Sequence, residues 1–218
     1  MPTSLPPRPQ IPDLAHMSLE LATPRLALRP LEPRHAEELF VHAADPDVAK
    51  TMSWTAHADL SVTRSFVDAM IAARERGSEL VWAIERDGAA IGAVTLGRIT
   101  WEFRAWRRDV AELGYWIGKP FWGQGLTSEA ARAATAFGFE TLGLHKITVG
   151  CVDGNEASKR IIEKLGFRFL AVHEDDFWRD GRWQNHLRFE QTVSEWLDSG
   201  GEWIDSTRTL RFSKPPRS

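Results

Sequence analysis

From Gly114 to Glu129 the chain reads Gly-Tyr-Trp-Ile-Gly-Lys-Pro-Phe-Trp-Gly-Gln-Gly-Leu-Thr-Ser-Glu: a strand-like run, a short loop holding Gly123 and Gly125, and the start of a helical run. Glycines in such a loop let successive backbone N–H groups converge on one small volume, and the following helix aims the positive end of its dipole at the same place. That arrangement binds a pyrophosphate, and Thr127 adds a hydroxyl at the helix start. Two glycines spaced by one residue also make a plain tight turn, so the flanks must carry the identification. Further on, Asn155 and Ser158 lie one helical turn apart at the head of a second helical run. Asn155 is a good N-cap, which alone justifies asparagine there. Cys151, in phase with Ile147 and Val149, reads as a small buried hydrophobe or as a thiol facing the ligand. Asp175, Asp176 and His186 lie near a final turn at Asp180, where carboxylates would attract a cationic amine; turn chemistry explains Asp180, and solvated surface could explain the rest. The other histidines lack metal-ligand spacing and there is no Cys/His cluster, so no metal is expected.

The elements that must position these residues follow from periodicity. A strand is expected over 25–30, a helix over 32–44 with Pro33 in its first turn, and a second helix over 60–76 ended by Gly77. Strands over 80–85 and 89–96 flank Asp87-Gly88, a hairpin signal. The segment Trp101-Glu-Phe-Arg-Ala-Trp-Arg-Arg108 fits no template. A strand over 110–117 leads into the glycine loop and a helix over 127–142, whose stripe of Ala130, Ala131, Ala134, Phe137 and Thr141 suits close approach to a sheet. Then come a strand over 146–152, a helix with Gly166 at its C′ position, and strands over 169–174 and 182–191 around Asp180-Gly181. Strand–helix–strand–helix from 110 to 165 amid hairpins predicts an α+β, three-layer fold with right-handed crossovers, not a doubly wound sheet.

Composition bounds the rest. At 218 residues the chain accommodates one domain with a sizeable core. Residues 1–20, with Pro2, Pro6, Pro7, Pro9 and Pro12, predict a flexible lead without a secretory pattern; 199–218 form a polar tail without assignment. No apolar run could span a bilayer, and a single cysteine suits a reducing cytoplasm. A formal charge of −3 argues against nucleic acid as the main partner. Ten tryptophans against one tyrosine suggest core and edge packing or an aromatic-lined groove.

Five segments together resemble the GNAT acyltransferase superfamily, and within it the Rim-type branch of ribosomal-protein N-terminal acetyltransferases. They are Leu113-Gly-Tyr-Trp-Ile-Gly118, Trp122-Gly-Gln-Gly-Leu-Thr-Ser-Glu-Ala130, Asp153-Gly-Asn-Glu-Ala-Ser158, Glu163-Lys-Leu-Gly-Phe167 and Arg179-Asp-Gly-Arg-Trp-Gln-Asn-His186. The resemblance covers roughly residues 24–196 and implies one GNAT domain over 21–198. Its expected architecture is a mixed, mostly antiparallel sheet of about six to seven strands with helices on both faces. One departure is Pro120, where the superfamily's phosphate loop usually begins with Gln or Arg; Rim-type sequences often share it.

The resemblance implies acetyl-CoA as donor, with Trp116, Ile117, Trp122, Gly123, Gln124, Gly125, Leu126, Thr127, Asn155 and Ser158 as its binding residues. It also implies a strand bulge near 113–116 whose freed amide holds the thioester carbonyl. Glu112 is the expected base, directly or through water, because an amine must be neutral to attack; an exposed carboxylate paired with an arginine from 104–108 is the alternative. Where much of the superfamily protonates the departing thiolate with a tyrosine, this branch tends to have serine, and Ser158 fits as a hydrogen-bond donor or water holder. The expected acceptor is a primary amine: a protein N-terminus, or a small molecule such as an amino acid, polyamine or drug. A homodimer is among the assemblies allowed, and a non-catalytic acyl-CoA-binding module is the rival class.

Overall fold

A computed structural model describes residues 11–14 and 16–200 of the chain. The strands are β1 (Leu21–Ala22), β2 (Ala27–Pro30), β3 (Leu80–Arg86), β4 (Ala89–Phe103), β5 (Trp106–Ile117), β6 (Lys146–Val152), β7 (Arg168–Arg179) and β8 (Arg182–Thr192). The helices are α1 (Ala36–Ala43), α2 (Pro46–Ala49), α3 (Leu60–Glu75), α4 (Leu126–Glu140), α5 (Glu156–Lys164) and α6 (Val193–Asp198). The strands form one sheet in the order β1-β2-β3-β4-β5-β6-β8-β7, antiparallel except for β5 beside β6. The extra strand relative to expectation is β1, a two-residue pairing in which Leu21 faces Leu28.

Local chemistry explains the hairpins. Asp87 and Gly88 join β3 to β4, and Asp180 and Gly181 join β7 to β8; all four have positive φ, the pattern of a two-residue type I′ turn. The unassigned segment 101–108 continues the β4–β5 hairpin, with Phe103 paired to Trp106. Its alternation was broken because Arg98, Arg104 and Asp109 adopt positive φ and the register shifts between Gly97 and Glu102.

Two cores flank the sheet. The larger lies under α4 and α5 and gathers Trp82, Leu96, Leu113, Ile147, Phe137, Phe189 and Trp196. Small residues on α4 let the helix approach closely: even a Cβ at Gly138 would lie 2.8 Å from Ile147 Cδ1. Trp82 and Phe137 meet edge to face at 5.4 Å, a geometry worth roughly 0.5–1.5 kcal/mol beyond the area buried. The smaller core joins α1 and α3 to β3 and β4 through Leu39, Val67, Val81, Ala83 and Ala93. Residues 16–20 are not the free lead expected: Leu19 is buried with Leu14, and Trp82 Nε1 donates to the Leu19 carbonyl at 2.6 Å. Residues 1–10 and 201–218 lie outside the described residues.

The second crossover differs from a simple one. α5 leads from β6 to β7, yet β8 inserts between those two strands. Only β5 and β6 are adjacent and parallel, from Val110–Lys146 to Leu113–Val149. Past that point β5 runs on to Ile117 and β6 to Val152 without pairing to each other, so the sheet opens as a wedge.

Candidate active site

The glycine loop sits at the mouth of this wedge. Gly123 and Gly125 have φ of 73° and 75°, a left-handed backbone that other residues adopt at a cost. Gly125 is the N-cap of α4 and offers no side chain to its first turn, so those N–H groups are left for an outside acceptor. Open space surrounds the position of a Cβ at Gly123. These features fit an anionic ligand, and the pyrophosphate of acetyl-CoA is the group the loop can take through backbone donors. Ile117 and Leu126 are buried, so only their backbone could face a ligand. Trp122 Nε1 donates to the Ile117 carbonyl at 2.9 Å, which folds the indole back over the loop. The Gln124 amide is already engaged, accepting from Arg86 at 2.8 Å and donating to the Pro120 carbonyl at 3.0 Å. Thr127 stands in the first turn of α4.

The expected strand bulge is absent. β4 and β5 pair without interruption from Gly92–Ile117 to Gly97–Glu112. What frees the β6-facing edge of β5 is the end of its pairing after Leu113, and a bulge is not needed for that.

On the α4/α5 side of the wedge, Tyr115, Ser158, Cys151 and Asn155 form a connected cluster. Asn155 caps α5 by accepting from the Ser158 N–H at 3.1 Å. Ser158 Oγ lies 3.0 Å from Tyr115 Oη, the phenol of the chain's sole tyrosine. Burial pushes that phenol well above its ordinary range, so it stays protonated at physiological pH. Burial likewise pushes the Cys151 thiol up to about 11, against an opposing hydrogen bond with Ser158. Cys151 is therefore a neutral, enclosed thiol and a poor nucleophile. Tyr115 was not among the expected site residues. Alternation on β5 puts it on the same face as Leu113 and Ile117, and that was the signal available.

Glu112 and Trp116 alternate onto the opposite face, and Trp116 packs against the α1/α3 core. Glu112 is neither exposed nor paired with the 104–108 arginines. Arg188 Nη1 donates to its Oε1 at 3.1 Å, and Arg98 Nη1 lies 3.2 Å from Oε2. Each carboxylate oxygen thus meets one arginine nitrogen. Trp116, expected near the donor, meets Trp54 edge to face at 5.5 Å on this second face. His186 lies over Gly150, where a Cβ would come within 2.3 Å of its ring, and burial followed by the nearby Arg188 charge lowers its pKa.

Two aromatic segments stand beside this face. Arg179 Nη1 donates to the Met52 carbonyl, drawing the 177–183 hairpin to the loop that carries Trp54. Segment 101–108 stands at the other end of β5, because β8 runs antiparallel to β6 and carries the β7–β8 turn beyond Val152. Among the described residues no group of three or more His, Cys, Asp or Glu could hold a metal ion, and no helix is long and apolar enough to cross a membrane.

An open sheet split beside a glycine loop at a helix N-terminus defines an acyl-CoA-dependent acetyltransferase architecture. The profile of the acetyltransferase (GNAT) domain matches residues 25–168, and the chain belongs to that family as an N-acetyltransferase. Its relatives include the uncharacterized N-acetyltransferase YoaA of Bacillus subtilis, 27% identical over 74% of this chain and 89% of the relative. Another is the FsC-acetyl coenzyme A-N(2)-transacetylase of Aspergillus fumigatus, 26% identical over 81% of this chain and 77% of the relative. Among solved structures, RimL, a ribosomal L7/L12 alpha-N-protein acetyltransferase bound to coenzyme A as a cysteine disulfide, superposes with a TM-score of 0.72. It is 18% identical and covers 79% of this chain and 97% of its own. RimL, a member of the Rim-type branch that the motifs resemble, thus shares this fold.

Proposed function

We propose that the protein transfers acetyl from acetyl-CoA directly to the α-amine of a peptide or protein N-terminus, within a ternary complex. The observation that carries this reading is the wedge between β5 and β6, with Ser158 and Tyr115 on one face and Glu112 on the other. A donor held by the loop from Trp122 to Thr127 would reach the wedge from the α4 side. An amine would enter from the face of Glu112, lose its proton to that carboxylate or to a water it holds, and attack the thioester carbonyl. As the C–S bond breaks, the sulfur leaves toward Ser158 Oγ, whose hydrogen bond stabilises the thiolate. Cys151 takes no covalent part, in keeping with its raised pKa.

The acceptor reading rests on the Trp54–Trp116 pair and the hairpin tied to Met52, which bury side-chain area beyond a reacting nitrogen. It is also in keeping with the alpha-N-protein activity named for RimL. A small-molecule amine is the second reading, favoured by the similarity to the FsC transacetylase. A CoA-release assay with unblocked peptides, N-terminally blocked peptides, free amino acids and polyamines separates the two. Peptides with a free α-amine are expected to lead in kcat/KM, and blocking is expected to abolish turnover. Efficient turnover of small amines with none on any peptide would overturn the peptide reading.

A further inference from the structure

Arg25 stands just past β1, 104 positions before Glu129 in the first turn of α4, yet the two are locked together. Arg25 Nε and Nη2 both lie 2.7 Å from Glu129 Oε2, and the Arg25 backbone N–H donates to Oε1 at 3.0 Å. Thr23 Oγ1 donates to the same Oε1 at 2.6 Å. The remaining arm of the guanidinium, Nη1, donates to the Gln124 carbonyl at 2.9 Å, inside the glycine loop.

We propose that Arg25 is a positioning residue for the donor: it sets the direction of a loop amide and cancels a carboxylate that would otherwise repel the pyrophosphate. This rests on reading the loop from Trp122 to Thr127 as the pyrophosphate site. In a trans peptide the C=O and the next N–H point in opposite directions. Holding the Gln124 carbonyl on Arg25 therefore aims the Gly125 N–H away from Arg25, into the volume at the head of α4. Glu129 is favourable to the helix dipole but like-charged to a diphosphate a turn away. The paired guanidinium neutralises it, and Thr23 fixes where it lies. Arg25 Nη2 also stands 3.6 Å from where a Cβ of Gly125 would be, so the loop is packed against it. The guanidinium is half exposed and borders a groove of about 430 Å³ with Ser128, Arg132 and Lys164, so its removal does not excavate the core.

The test compares two acyl donors, acetyl-CoA and S-acetylpantetheine, which lacks the pyrophosphate. In Arg25→Ala the KM for acetyl-CoA should rise about tenfold or more, the scale of a lost charge-assisted hydrogen-bond set. kcat/KM for S-acetylpantetheine and KM for the amine should stay within about twofold of wild type. Arg25→Lys keeps the charge, but one ammonium cannot grip Glu129 and the Gln124 carbonyl as a fork does, so it should show the same donor-selective loss. If Arg25→Ala does not fold, Arg25→Lys decides. Wild-type acetyl-CoA affinity in Arg25→Lys, or equal losses on both donors in either variant, would overturn the proposal. The underlying loop reading fails separately, if wild type binds CoA no better calorimetrically than it binds pantetheine.

Discussion

The hydroxyls of Tyr115 and Ser158 meet at 3.0 Å across the gap between β5 and α5, although 43 positions separate them in the chain. A serine hydroxyl alone is a weak donor to a thiolate, and a buried phenol behind it can orient its proton. If the two act as one unit, Ser158→Ala and Tyr115→Phe should each lower kcat by about ten- to a hundredfold. The double variant should lose little more than either single one, as expected for coupled groups. Steady-state CoA release measures this, and multiplicative losses would assign the residues independent roles.

The two loop glycines should respond differently. Gly123→Ala meets open space and only the positive φ opposes it, so its cost should be about 1 kcal/mol of stability with acetyl-CoA binding retained. Gly125→Val adds branched bulk beside Arg25 and the helix N-terminus, and calorimetry should show acetyl-CoA affinity severely weakened. Unchanged affinity in Gly125→Val would remove the pyrophosphate from this loop.

Glu112→Gln should slow turnover far more at neutral than at alkaline pH, because free amine becomes available without a base as pH rises. The neutral-pH loss is expected on the order of 10²–10⁴. A wild-type pH–rate profile with Gln at 112 would leave Glu112 as the ion-pair partner of Arg188 and Arg98 alone.

Stability should fall on mild acidification. Burial lowers the pKa of His42, His57 and His186 below the ordinary value of 6.5. The unfolded chain therefore binds protons first, and stability present above pH 6.5 is lost as pH falls through the lower folded-state values. Thermal unfolding between pH 8 and 5 should show the decline, and His186→Asn should flatten it. A variant as acid-sensitive as wild type would show that His186 contributes nothing to the slope.

Features set by one or two neighbouring residues were legible in the sequence. Asp180-Gly181 demanded a tight turn, Gly166 takes the left-handed C′ position with Phe167 N–H returning to the Ile162 carbonyl, and Asn155 caps α5. β6 is legible over its whole length, 146–152, because its two faces alternate cleanly. Relationships across the sheet were not legible. Arg25 could find Glu129 only once β1 and β2 had docked beside α4, and Glu112 found Arg188 rather than its sequence neighbours because β8 enters next to β6. Non-glycine residues at positive φ hid the 101–108 hairpin, since neither their type nor their spacing announces that conformation.

The entry of β8 between β6 and β7 also dictates when this chain can first become active. Until Arg182–Thr192 has been made, β6 has no partner on its far side and β7, which pairs with β8, has no strand to join. A nascent chain halted before that strand would present two open edges prone to wrong pairing. It would also lack Arg188 beside Glu112. Closure of the sheet and completion of the Glu112 face are thus a single late event, tied to the last of the described strands and slowed by the loop it must close.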